Sequence, residues 1–187
     1  SRLVGCLGWG FWFFNWNFTW TNWKNRLRKK NFKFDNTYSK LPNSFYKKVL
    51  PQPVKEPKLI EINEELAKYL GVDSTNLSDE DCKLIFSGNK IPRGASPIAL
   101  AYAGHQFGQF VPSLGDGRAI LLGELIATNG KRFDMQLKGS GKTFFSRNGD
   151  GRAPLGPVIR EYIVSEALNY LNIPTTRVLA VSKTGEF

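Results

Sequence analysis

An α+β fold is what this 187-residue sequence predicts, on three observations. Residues 119–126 and 133–137 read as an antiparallel strand pair, and helical periodicity follows from Pro157 to Leu171. Ahead of both lies an irregular, proline-rich strap with short helices. A content of 41% hydrophobic and 22% charged residues lies in the globular range and suffices for one core.

The run from Ala119 to Ile126 has strand composition, and Thr128-Asn129-Gly130-Lys131 supplies a hairpin turn. On the return strand Phe133, Met135 and Leu137 share one face, while Asp134, Gln136 and Lys138 share the other. Pro157 opens the helix, with Ile159, Tyr162, Ile163, Ala167 and Leu171 expected as its buried stripe and Asn172-Ile173-Pro174 as its stop. Glu161 sits in its first two turns, away from that stripe. Upstream, Pro42, Pro51, Pro53 and Pro57 predict an extended strap over residues 35–58. Ile62, Leu66 and Leu70 before Gly71 predict a short helix over 61–70. Ser78-Asp79-Glu80-Asp81 caps a second helix running towards Phe86, and residues 98–102 read as a third.

A formal charge of +10 raises nucleic acid as a partner, but its distribution argues against one. Seven basic residues precede the first acid, Asp35; from there on, 19 basic residues against 16 acids leave +3. Two cysteines, Cys6 and Cys82, make no disulfide framework, and without a C-x-x-C motif or histidine cluster zinc is not expected. A reducing compartment fits better than secretion. The single histidine, His105, reads as structural rather than as an acid or base.

Residues 1–33 form a separate aromatic and basic segment, distinct in composition from residues 34–187. Its tryptophans at 9, 12, 16, 20 and 23 have helix-like spacing, and residues 3–23 carry no charge. Asparagines and threonines within it oppose a membrane span, and the basic run after the apolar stretch fits a signal peptide poorly. An interfacial helix, a marginal anchor and translated sequence foreign to the domain all stand, and no function is assigned. With no initiator Met at Ser1 and a stop directly after a strand-like run, both ends read as cuts.

Chemistry concentrates in glycine loops. Gly115-Asp116-Gly117-Arg118 precedes the first strand; small residues there let backbone N–H groups approach a phosphate, and Arg118 adds a fork of donors. Gly141-Lys142-Thr143 after the second strand suggests a Walker A ending, but Gln136 stands where the first glycine belongs and no helix starts at Thr143. A kinase-like order accounts for more: glycine turn, two strands, a lysine on the polar face of the second, then a helix bearing a glutamate. Lys138 and Glu161 are that pair; the alternative is a solvated lysine and a glutamate placed by the helix dipole. With Lys142, Arg147 and Arg152 in or beside the loops, five cations around small residues suggest a triphosphate, against a merely solvated basic face.

Together these stretches resemble the selenoprotein O family of protein adenylyltransferases. The resemblance rests on Phe34 to Tyr38, Leu41 to Tyr46, Tyr102 to Gly108, Leu114 to Gly123, Asp134 to Gly141, Ser146 to Arg152, Ile159 to Glu161 and Ile173 to Arg177. It implies a protein-kinase-like N-terminal lobe, incomplete here, binding ATP in a flipped orientation with magnesium. AMP would pass to serine, threonine or tyrosine hydroxyls of protein substrates, with release of pyrophosphate. By motif, Gly115, Gly117, Arg118, Lys138, Asp150 and Gly151 would contact the nucleotide, and Glu161 would orient Lys138. The family's catalytic-base Asp and its metal ligands would lie beyond Phe187, so this stretch alone is expected to be inactive. Where the family often has Thr-Pro-Tyr-Ser-Arg, this chain has Thr143-Phe144-Phe145-Ser146-Arg147, a departure away from the expected ligands. The implied location is cytoplasmic in a bacterium and mitochondrial in a eukaryote, with membrane contact expected only through residues 1–33. A γ-phosphate protein kinase and a non-catalytic nucleotide-binding module are the rival functions.

Overall fold

The computed structural model describes residues 2–7, 32–72 and 77–186, the first stretch as backbone alone. Ten strands and three α-helices occur among them: β1 (Arg2–Leu7), β2 (Tyr46–Lys48), β3 (Lys58–Ile62), α1 (Glu64–Leu70), α2 (Asp79–Phe86), β4 (Ile98–Leu100), β5 (Gly104–Gln106), β6 (Gln109–Val111), β7 (Ala119–Ile126), β8 (Arg132–Lys138), β9 (Ala153–Pro154), α3 (Leu155–Tyr170) and β10 (Leu179–Lys183). Eight strands form one antiparallel sheet in the order β2-β4-β7-β8-β1-β10-β3, with β9 paired to β1. β5 and β6 make a separate hairpin. The architecture is α+β. The tryptophan pattern over residues 9–23 lies outside the described residues; Arg2–Leu7, just before it, is a strand.

The β7–β8 ladder is the centre of the fold. It runs from Ala119 opposite Lys138 to Ile126 opposite Arg132, with a bulge between Leu121 and Gly123. β7 is buried along most of its length, whereas on β8 Met135 and Leu137 are buried and Asp134 is exposed. Met135 and Leu137 join Leu122, Leu125, Leu179 and the apolar sides of α1 and α2 in the main core. Alternation along β8 therefore turns Lys138 to the opposite side of the sheet, where α3 lies. Helices thus flank the sheet on both faces.

Local chemistry sets the helix ends. Ser78 accepts a hydrogen bond from the Asp81 N–H, and three acids occupy the first turn of α2. Gly71, at φ 72°, ends α1 in a Schellman arrangement, with Val72 N–H to Ala67 and Gly71 N–H to Lys68. Asn172, at φ 57°, ends α3 the same way through Ile173 to Leu168 and Asn172 to Asn169.

Three expectations are corrected. The helix expected over 61–70 begins only at Glu64, because Lys58–Ile62 pairs with β10, a distant strand that satisfies its backbone. Residues 98–100 are strand β4 between β2 and β7, not a helix. The stripe expected on α3 is largely the outer face: Ile159, Ile163 and Leu171 are exposed, Leu171 at 69%, and Ala167 is exposed too. Of the expected stripe Tyr162 does pack inward, and with Val158 and Leu155 it seats the helix against Ala153, Val178 and Val181. Apolar residues on both sides of α3 made its core face ambiguous in the sequence.

The strap is clamped to β7 by Glu124, a carboxylate only 5% exposed. It accepts from the Thr37 hydroxyl at 2.6 Å, the Tyr38 N–H at 2.7 Å and the Thr37 N–H. Arg132 bridges Glu124 and Asp35. Burial alone pushes the Glu124 carboxyl up, but these donors and Arg132 outweigh it and hold it below 4.5. Among the described residues, no helix is long and apolar enough to cross a membrane.

Candidate phosphate-binding site

The ladder that opposes Ala119 to Lys138 also brings the residues flanking them together: the Gly139 N–H donates to the Arg118 carbonyl at 2.7 Å. Arg118 is exposed there. Across from β8, the Lys138 ammonium donates to both carboxylate oxygens of Glu161 on α3, at 2.7 and 2.8 Å. Both side chains remain more than 40% exposed, so the pair contributes little to stability. What the contact does is hold the ammonium against α3.

The glycine loops, residues 115–118 and 139–152, are in contact with one another. Gly115 has φ 56°, and a Cβ there would lie 2.3 Å from Cγ of Phe145. A Cβ on Gly151 would lie 2.0 Å from the Gly141 carbonyl, and the Gly141 N–H donates to the Gly151 carbonyl at 3.1 Å. The glycines therefore allow one loop to lie directly on the other. Amide donation is a different matter: the Gly115 and Asp116 N–H groups bond to the Tyr102 and Leu100 carbonyls, so neither faces a phosphate.

The five cations divide. Arg118 and Lys142 are exposed beside the loops, and Lys138 is held by Glu161. Arg147, at φ 52°, reaches Gln106 on β5 at 3.2 Å. Arg152 turns inward instead. Its guanidinium binds the Glu186 carboxylate at 2.9 and 3.0 Å and the Gln52 carbonyl at 3.3 Å, with the side chain 8% exposed. It ties the loop to the strap and to the chain after β10, and the expected set of five shrinks to four. Asp150 is exposed, and its carboxylate accepts from the Arg152 N–H at 2.9 Å. Gly151 is buried in the loop contact, and the His105 ring packs tilted against Phe110 on the β5–β6 hairpin.

Sequence reasoning missed the groups that hold the loops. Asp116 is 6% exposed; its carboxylate accepts from the Leu100 N–H and the Tyr102 hydroxyl, both at 3.0 Å. Burial pushes this carboxyl above its ordinary range, and burial together with Asp116 pushes the Tyr102 hydroxyl up to about 12. Thr143 donates its hydroxyl to the Asp116 carbonyl, and Ser146 donates to the Gly117 carbonyl at 2.6 Å. No sequence signal marks a hydroxyl that bonds to a backbone some thirty residues away. Among the described residues, no group of three His, Cys, Asp or Glu side chains is placed to hold a metal ion.

Comparison with known proteins adds identity to this geometry. The family described as protein adenylyltransferase SelO matches residues 28–187. The chain is 61% identical over 155 residues to a protein of Rhizobium meliloti strain 1021 named protein nucleotidyltransferase YdiU, covering 83% of this chain and 31% of that protein. Proteins of the same name from Bacillus cytotoxicus and Agrobacterium fabrum are 56% and 62% identical, covering 87% and 82% of this chain and 33% and 32% of their own lengths. The chain thus spans about a third of the length of the curated relatives it matches.

Proposed function

From the premise that this chain belongs to the protein adenylyltransferase SelO family, we propose that it is the ATP-binding part of an enzyme that transfers AMP to protein hydroxyls. The observation that carries the reading is Lys138 held by Glu161 beside Arg118 and the two glycine loops. β7, β8 and α3 then correspond to part of a kinase-like N-terminal lobe. ATP phosphates would lie over Gly117 and Arg118, with Lys138 and the exposed Lys142 and Arg147 as further cations and Asp150 with Gly151 at the edge of the nucleotide.

The reaction joins a serine, threonine or tyrosine oxygen of the acceptor to the α-phosphorus. The bond from that phosphorus to the α,β-bridging oxygen breaks, and pyrophosphate leaves with the electron pair. The hydroxyl proton goes to a base that the reading assigns to the remainder of the family's polypeptide, together with the magnesium ligands. Magnesium, when bound, supplies charge neutralisation across the phosphates. This chain's part is electrostatic: Lys138 and Arg118 offset charge that builds on the phosphate oxygens, and Lys138 is already held by Glu161 before the reaction. Glu161 keeps the Lys138 ammonium directed there.

The test is incubation of the native polypeptide carrying this sequence with magnesium and ATP labelled at either the α- or the γ-phosphate. Label retained in protein from the α position alone supports AMP transfer. Label from the γ position alone makes the protein a kinase, and ATP binding without either label makes it a nucleotide-binding module.

A further inference from the structure

We propose that Thr143 and Ser146 are positioning residues that orient two backbone N–H groups, those of Gly117 and Arg118, as phosphate donors. The proposal rests on the reading that this site holds ATP. The Thr143 hydroxyl donates to the Asp116 carbonyl and accepts from the Phe145 N–H at 3.0 Å. The Ser146 hydroxyl donates to the Gly117 carbonyl at 2.6 Å and accepts from the Thr143 N–H at 2.7 Å. Each hydroxyl therefore shapes its own loop through its lone pair and grips the other loop through its proton.

The consequence follows from peptide planarity. In a trans peptide the N–H points opposite to the C=O, and no cis bond occurs among the described residues. The Asp116 carbonyl shares its peptide with the Gly117 N–H, and the Gly117 carbonyl shares its own with the Arg118 N–H. Drawing both carbonyls towards Thr143 and Ser146 turns both N–H groups away from the second loop. The preceding two amides are already bonded to Tyr102 and Leu100, and the buried Asp116 carboxylate fixes the turn from below. Two consecutive N–H groups pointing the same way form an anion-binding concavity. Glycine at 117 also keeps the loops close, since a Cβ there would lie 3.0 Å from the Phe145 carbonyl.

The experiment measures ATP and adenosine affinities by calorimetry on the native polypeptide, as wild type, Thr143→Val, Thr143→Ser, Ser146→Ala and Lys138→Ala. Thr143→Val and Ser146→Ala are each expected to weaken ATP about tenfold while changing adenosine less than about twofold, and Thr143→Ser is expected to restore ATP affinity. Equal losses for ATP and adenosine would make the hydroxyls generally structural and overturn the proposal, as would undiminished ATP binding. If Thr143→Val does not fold, Ser146→Ala decides by the same ratio. Loss of ATP affinity in Lys138→Ala with none in the hydroxyl variants defeats this inference alone; a wild type that binds no ATP defeats the proposed function beneath it.

Discussion

The ring of Phe145 fills the space that any side chain at position 115 would need, its Cγ lying 2.3 Å from where a Cβ would start. Gly115 also has φ 56°, where an L-residue is strained. Gly115→Ala is therefore expected to destabilise the fold by about 2–3 kcal/mol, from backbone strain and overpacking together. Truncating the ring removes only the second part. A thermodynamic cycle with Phe145→Ala should show Gly115→Ala costing less in the truncated background; strict additivity would mean that ring and glycine do not meet.

Lys138 and Glu161 lead to the opposite expectation. Because both are well exposed, Lys138→Ala and Glu161→Gln should move the thermal midpoint by no more than about 2 °C. ATP affinity should fall about tenfold or more in Lys138→Ala, since a cation facing the phosphates is lost. Glu161→Gln should fall less, because the ammonium remains but is no longer held. Calorimetry on folded samples checks both, and equal affinity in wild type and Lys138→Ala would remove Lys138 from the site.

What was legible in the sequence was local. The β7–β8 hairpin announces itself through its Asn129-Gly130 turn and the alternation of Phe133, Met135 and Leu137, and α2 through its Ser78 cap. β3 and β4 were not legible, because their pairing partners lie far along the chain and short apolar runs fit helix or strand alike. The Lys138–Glu161 pair could be read from order and spacing. Thr143 and Ser146 could not, since their acceptors are carbonyls of another loop. Glu124 offered a usable signal: a lone acid within the apolar run of β7 has to be buried with partners.

Glu124 and Asp116 should tilt stability in opposite directions with pH. Glu124 is held below 4.5 in the fold, so its contribution is present above that pH and is lost as pH falls through the folded value. Asp116 is raised above 3.8, so its contribution is largest below that pH and declines as pH rises through the folded value. Denaturant unfolding from about pH 3 to pH 7 should show Glu124→Gln flattening the acid limb. Asp116→Asn should steepen the rise of stability with pH, by removing the opposing group. If Asp116→Asn instead flattens that rise, the carboxyl is not raised in the fold. Glu124→Ala should cost about 3 kcal/mol, because Thr37 and Tyr38 lose their acceptor and Arg132 loses one of its two carboxylates.

Arg152 separates a structural cation from the site it borders. Its guanidinium is bonded to Glu186 and to the Gln52 carbonyl, joining the strap, the second glycine loop and the chain after β10. Removing it leaves a partly buried carboxylate and a carbonyl without their donor, so Arg152→Ala should lower stability by about 2 kcal/mol. Arg152→Lys should recover only part of that, because an ammonium cannot reproduce the two-bond fork to Glu186. ATP affinity of the folded variant should change less than about threefold, in contrast to Lys138→Ala. A larger loss in Arg152→Lys, with stability near that of wild type, would mean that the guanidinium leaves Glu186 to meet the nucleotide.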